Sequence, residues 1–142
     1  MTQEANEMTM DARHRGPSLL AVSIVFALLF VGSIVGSIAV GGGEHYPSPY
    51  QAEALSSIYF TEHANAVRLS AFLAFGAAVP LGIFTATAVS RLRFLGVKVA
   101  GCDIAFFGGL AASVMAALAA LVMWTISWPE IAASPTVHVL HV

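Results

Sequence analysis

Three stretches of this chain carry no Asp, Glu, Lys or Arg: Gly16–Gly43, Leu69–Ser90 and Ile104–Pro129. They are 28, 22 and 26 residues long, and a helix needs about 20 apolar residues to cross the hydrocarbon core of a bilayer. Lipid supplies no hydrogen bonds to the backbone, so a spanning segment of this kind must satisfy its own peptide groups as a helix. Overall composition agrees. Only 10% of the 142 residues are charged and 58% are hydrophobic, with a mean hydropathy of +0.81. A soluble domain carries about 25% charged residues, so this chain cannot cover a globule with a wetted surface. The reading is an all-α membrane protein with three transmembrane helices.

Residues 1–17 form a polar tail of mixed charge, too poor in bulky side chains to fold alone. A single transmembrane domain over 18–129 follows, with spans at about 18–40, 66–89 and 101–126. The first opens at Pro17-Ser18 and stops at Gly41-Gly42-Gly43. A cleaved signal peptide is the competing reading of that segment, but its apolar core is longer than the usual 7–15 residues. The second span holds Pro80 near its middle, which predicts a kink. A tight basic loop, Arg91–Lys98, leads to the third span, which ends at Trp124, Trp128 and Pro129.

Between the first two spans lies a polar segment, Glu44–Asn65. Ser48-Pro49-Tyr50-Gln51 combines an N-cap, a first-turn proline and a capping-box glutamine. Tyr50, Ala54, Leu55, Ile58 and Tyr59 then share one helical face. That pattern suits either a short interfacial helix or an extension of the second span. Residues 130–142 contain a second start signal, Ser134-Pro135, followed by barely two turns. They read either as a segment resting at the outer interface or as the stump of a further helix, with the start signal favouring the stump.

Basic residues set the expected orientation. Arg13, Arg15, Arg91, Arg93 and Lys98 fall on one side and Arg68 alone on the other, which puts the N-terminus in the cytoplasm and the C-terminus outside. Tyr46, Tyr50, Tyr59, Trp124 and Trp128 all fall near the outer boundary, where amphipathic rings settle. Arg91, Arg93, Lys98, Trp124 and Trp128 are thus expected interface anchors, and the expected location is the inner (plasma) membrane.

Small residues recur at every fourth position. Gly32 and Gly36 mark the first span; Ser70, Ala74, Ala78, Gly82, Ala86 and Ser90 the second; Gly101, Ala105, Gly109, Ser113 and Ala117 the third. Such strips let helix backbones approach closely, and close packing drives helix association in lipid. The expected packing residues are Gly32, Gly36, Ala74, Ala78, Gly82, Ala105, Gly109 and Ser113. Their partners can lie within the chain or on another copy.

Chemistry-bearing patterns are sparse. Asp103 sits one turn into the third span near Lys98 and a positive helix end, which suits a structural acid. Arg68 opens the second span, with Glu62, Glu44 or Glu130 as its expected partner. His138 and His141 are three apart and would share a helix face, a weak metal-ligand pattern. The spans hold no histidine for a haem, and no nucleophile–base set or phosphate-binding glycine loop appears. With one cysteine, Cys102, an internal disulfide framework is excluded. The net charge of −2 leaves no basic patch for nucleic acid. No catalytic site and no cofactor are expected.

The Pro47-Ser48-Pro49-Tyr50 entry, the His63–Phe75 run into the Pro80 span, and Trp128-Pro129-Glu130 before a new helix carry a resemblance. The whole chain resembles the N-terminal part of uncharacterised bacterial multi-pass membrane proteins from domain-of-unknown-function families. That resemblance implies further spans and supplies no activity. The expected function is a structural or assembly component, as a homo-oligomer or in a larger membrane complex. The alternative, prompted by the proline in the second span, is part of a small-solute transporter or channel.

Overall fold

A computed structural model describes residues 16–43 and 53–132. Among them every regular element is a helix: α1 (Leu19–Val40), α2 (Glu53–Glu62), α3 (Ala64–Phe94), α4 (Ala100–Ile126) and α5 (Pro129–Ala132). Helices α1, α3 and α4 contain 22, 31 and 27 residues and are apolar enough to cross a membrane. This is an all-α, multi-pass membrane protein.

Each long helix ends where its sequence lets the backbone turn. The Ser18 side chain caps α1 by accepting from the Ala21 N–H at 3.4 Å. At the other end Gly42 takes a φ of +68°, and the Gly43 N–H reaches back to the Ile38 carbonyl at 3.0 Å. Helix α3 closes in the same way. Gly96 stands at φ +85°, its N–H bonds the Arg93 carbonyl at 3.1 Å and the Val97 N–H bonds the Leu92 carbonyl at 3.1 Å. Those two bonds define a Schellman motif, whose left-handed residue favours glycine.

Helix α3 outruns the span expected over 66–89. Arg91 and Arg93 therefore belong to its last turn, where cations face the negative helix end, and the connection to α4 shrinks to residues 95–99. Pro80 is buried within α3, and the helix continues through it. Proline removes one intrahelical bond, and the bonds of the flanking turns carry the helix across that gap.

Within the polar segment α2 is a separate helix; the Ser48-Pro49-Tyr50-Gln51 start signal lies outside the described residues. α2 stops at Glu62, and His63, at φ −108° and ψ 26°, breaks the path before α3 begins. Of the expected face, Tyr59 is buried and Ile58 half exposed, with Phe60 buried beside them; Tyr50 and the side chains of Ala54 and Leu55 lie outside what the structure describes. Phe60, Val67 and Ile126 form one apolar cluster with Tyr59, and Ile131 of α5 packs on it. Phe60 of α2 and Val67 of α3 thus stand on either side of the break at His63 and share the cluster with Ile126 at the end of α4. This cluster caps the Trp-bearing end of the bundle.

The three long helices form an open layer with α3 in the middle. Both α1 and α4 pack extensively on α3, and neither makes an extensive contact with the other. A third of the apolar window of α3 is buried, against 6% for each neighbour. The residues of α3 that meet α1 (Leu69, Leu73, Gly76) and those that meet α4 (Ala78, Gly82, Thr85) fall on nearly opposite sides of a helix with 3.6 residues per turn. The outer faces of α1 and α4 carry Leu20, Leu28, Phe107 and Met115, all well exposed on the isolated chain, as lipid-facing side chains should be.

Candidate functional site: the two helix seams

At the seam between α3 and α4 the glycines of the described residues meet their partner helix most tightly. A Cβ added to Gly109 would overlap the Thr85 side chain, with the Thr85 Cβ itself at 2.9 Å. One turn along, a Cβ on Gly82 would sit 3.0 Å from the Ser113 Oγ. That hydroxyl is engaged: Ser113 donates to the Ala78 carbonyl at 2.7 Å across the seam. In lipid such interhelical bonds average about 0.6 kcal/mol and reach about 1–2. Ala78, Gly82, Gly109 and Ser113 are thus brought together in one seam inside the chain.

The seam between α1 and α3 is built differently. Cβ atoms on Gly32 and Gly36 would lie 3.7 Å from Leu73 Cδ1 and 3.4 Å from Leu69 Cδ2, both ordinary or nearly ordinary contacts. From the other side, Gly76 faces Leu29 at 3.7 Å. Glycine here meets leucine tips, and no side-chain hydrogen bond crosses the central part of the seam among the described residues. The Ser23, Ser33 and Ser37 hydroxyls instead donate to the carbonyls of Leu19, Phe30 and Ile34 in their own helix.

The remaining expected packing positions divide. Ala74 is half-buried, whereas Ala105 is exposed together with Gly101 at the start of the same ladder. The reason is geometric. A step of four residues advances about 400° around a helix, so each rung of an every-fourth ladder drifts about 40°. From Gly101 to Ser113 the ladder moves from the open surface of α4 into the seam.

Arginines of α3 tie down its neighbours at both ends. At the loop end the Arg91 Nη2 donates to the Pro17 carbonyl at 3.3 Å, and Arg93 forms a salt bridge with Asp103 in the first turn of α4. Asp103 thus pairs with Arg93, two residues before the turn, and Lys98 is exposed. The α3 C-terminus and the α4 N-terminus lie side by side, which puts these two charges together. Cys102, buried in the same turn, donates to the Val97 carbonyl.

At the Trp-bearing end Arg68 pairs with neither Glu62 nor Glu130 among the described residues, and Glu44 lies outside them. Its Nε donates to the Ser127 Oγ at 3.2 Å and its Nη2 to the Ser127 carbonyl at 3.1 Å. Its guanidinium lies 4.7 Å from the Trp128 ring centroid, a cation–π geometry. The α4 helix has just ended there, so Ser127 offers both a free carbonyl and a hydroxyl. Sequence reasoning missed Ser127 and Thr85 as partners. Thr85 is legible afterwards as the residue three beyond Gly82 on the same face; Ser127 had no signal beyond lying between two tryptophans.

Among the described residues no group of three His, Cys, Asp or Glu side chains converges on a metal position. His138 and His141 lie outside those residues, as does the Ser134-Pro135 start signal. Comparison with protein-family models, curated proteins and solved structures finds no match.

Proposed function

We propose that this protein is a non-enzymatic structural or assembly component of its membrane, associating with itself or a larger complex through helix faces that its own fold leaves open. The observation that carries this reading is the division of small residues on α4. Gly109 and Ser113 close the seam with α3. Gly101, Ala105, Gly108 and Ala112 lie exposed on a second strip of the same helix, and a Cβ on Gly108 would meet nothing within 4 Å. A strip of that kind admits a second helix backbone. The bacterial inner membrane, with the N-terminus and the Arg91–Lys98 turn cytoplasmic, is the location that the distribution of basic residues supports.

The transport alternative drew on the kink expected at Pro80, since interrupted helices line binding sites at mid-membrane. Helix α3 stays helical through Pro80, and the open small-residue strip of α4 is what supports assembly.

Crosslinking in native membranes tests the proposal. Adducts larger than the monomer are expected from the wild type, and Gly108→Leu should reduce them while the purified chain stays folded. A chain that crosslinks only as a monomer, or whose adducts are indifferent to Gly108→Leu, defeats it. Solute flux into reconstituted vesicles above that of empty ones would move the reading to the transport alternative.

A further inference from the structure

Arg68 and Arg91 bracket the apolar part of α3. Between them run Leu69–Ser90, 22 residues with no charge, and the helical rise from Arg68 to Arg91 separates the two arginines by about 34 Å. The hydrocarbon core is about 30 Å thick. When α3 spans the bilayer, both guanidiniums therefore reach the level of the lipid phosphates on opposite leaflets. Trp124 and Trp128, partly exposed beside Arg68, mark the same level, where indole rings settle.

The two arginines differ in what the protein offers them. Arg91 donates to the Pro17 carbonyl, and two residues on Arg93 pairs with the acid Asp103 at the same membrane level. At the other end Arg68 is held by neutral groups. Ser127 occupies its Nε and one Nη2 proton, and Trp128 covers one face of the guanidinium. No carboxylate among the described residues pairs with it. The planar guanidinium carries five N–H donors in a rigid fork, so among the described residues the edge bearing Nη1 keeps donors to spare. A half-buried cation with one edge oriented by a serine and one face by an indole is a receptor for a planar pair of anionic oxygens. Phosphate esters supply such a pair and bind arginine bidentately.

We propose that Arg68, set in place by Ser127 and Trp128, is a binding site for a phosphate group at the Trp-bearing membrane surface, supplied by a phospholipid headgroup. The site needs neither a partner protein nor the assembly role. Its ligand is defined by the phosphate itself, whatever the rest of the headgroup.

Solid-state NMR of the full chain in bilayers tests this directly. With arginine labelled at its guanidinium carbon, the Arg68 signal is identified by its contact with the Trp128 ring, so no substitution is needed. In phosphatidylglycerol bilayers that signal should be dephased by phosphorus at about 4 Å, the separation a bidentate guanidinium–phosphate pair sets. In bilayers of phosphate-free galactolipid the dephasing should vanish. Its return on adding inorganic phosphate alone would reassign the source from lipid to free phosphate. An Arg68→Lys variant should lose the dephased component in phosphatidylglycerol while retaining the helical spectrum. An Arg68 carbon that shows no dephasing in phosphatidylglycerol overturns the proposal, as does one found in contact with a carboxylate such as Glu44.

Discussion

The two seams of α3 solve the same problem by different means. Against α4, glycine and serine let two backbones come close enough for a hydroxyl to bond across, and a single added methyl has nowhere to go. Against α1, the glycines face the ends of leucine side chains, which swing aside at little cost. In water both seams would be held by the hydrophobic effect. In lipid neither is, because the tails are as apolar as leucine, and contact geometry and polar bonds carry the association. The α3–α4 seam is thus expected to be the rigid half of the molecule and the α1–α3 seam the adjustable half.

The largest effect is expected from Gly109→Leu, which drives a whole side chain into Thr85. Overpacking costs about 1–3 kcal/mol and occasionally more, and this substitution should lie at or above the upper end. Folded yield and reversible unfolding in detergent measure it. Gly36→Leu, by contrast, should leave a folded protein, since Leu69 and Leu73 can repack; equal damage from the two would erase the distinction between seams.

Next comes the Ser113–Ala78 bond. Ser113→Ala should cost about 0.6 kcal/mol, and at most about 1–2. Gly82→Ala should be less favourable in the wild type, where its new methyl meets the Ser113 Oγ, than once Ser113 is alanine. A double-mutant cycle over these positions reads that coupling, and additive costs would show that the hydroxyl and the glycine are not one feature. Smallest is the Arg93–Asp103 pair. Both side chains are more than half exposed, and exposed ion pairs are worth about 0–1 kcal/mol. Asp103→Asn should therefore lower stability by a few tenths of a kcal/mol in low salt and by nothing measurable in high salt, while a loss that persists in salt would mark a structural role beyond charge.

The sequence made the spans legible because charge-free length is a local property that the bilayer reads directly. The three long helices follow it closely, and the differences lie at their ends, where hydrogen bonds in turns rather than hydropathy decide. Arg91 and Arg93 prolong α3 because a helix C-terminus favours cations. Phe60 was invisible as a core residue because its burial depends on where α4 ends in space. The packing ladders were legible as composition but not as contacts. An every-fourth pattern drifts around the helix, so Gly109 enters the seam while Ala105 leaves it, and only the crossing point of two helices fixes which rung is used. Arg68 escaped for a related reason: Glu62 and Glu130 matched it by sign, yet the fold places Ser127 within hydrogen-bond reach.

The most direct test of the unequal seams is to compare Gly109→Ala and Gly36→Ala in one reversible unfolding assay. The two substitutions make the same chemical change in helix interiors, where alanine is intrinsically favoured over glycine by up to about 1 kcal/mol, so the intrinsic gain cancels between them. Gly36→Ala should match or slightly exceed wild-type stability, and Gly109→Ala should fall below it by about 1–3 kcal/mol. Equal stabilities, or a greater loss at Gly36, would contradict the account.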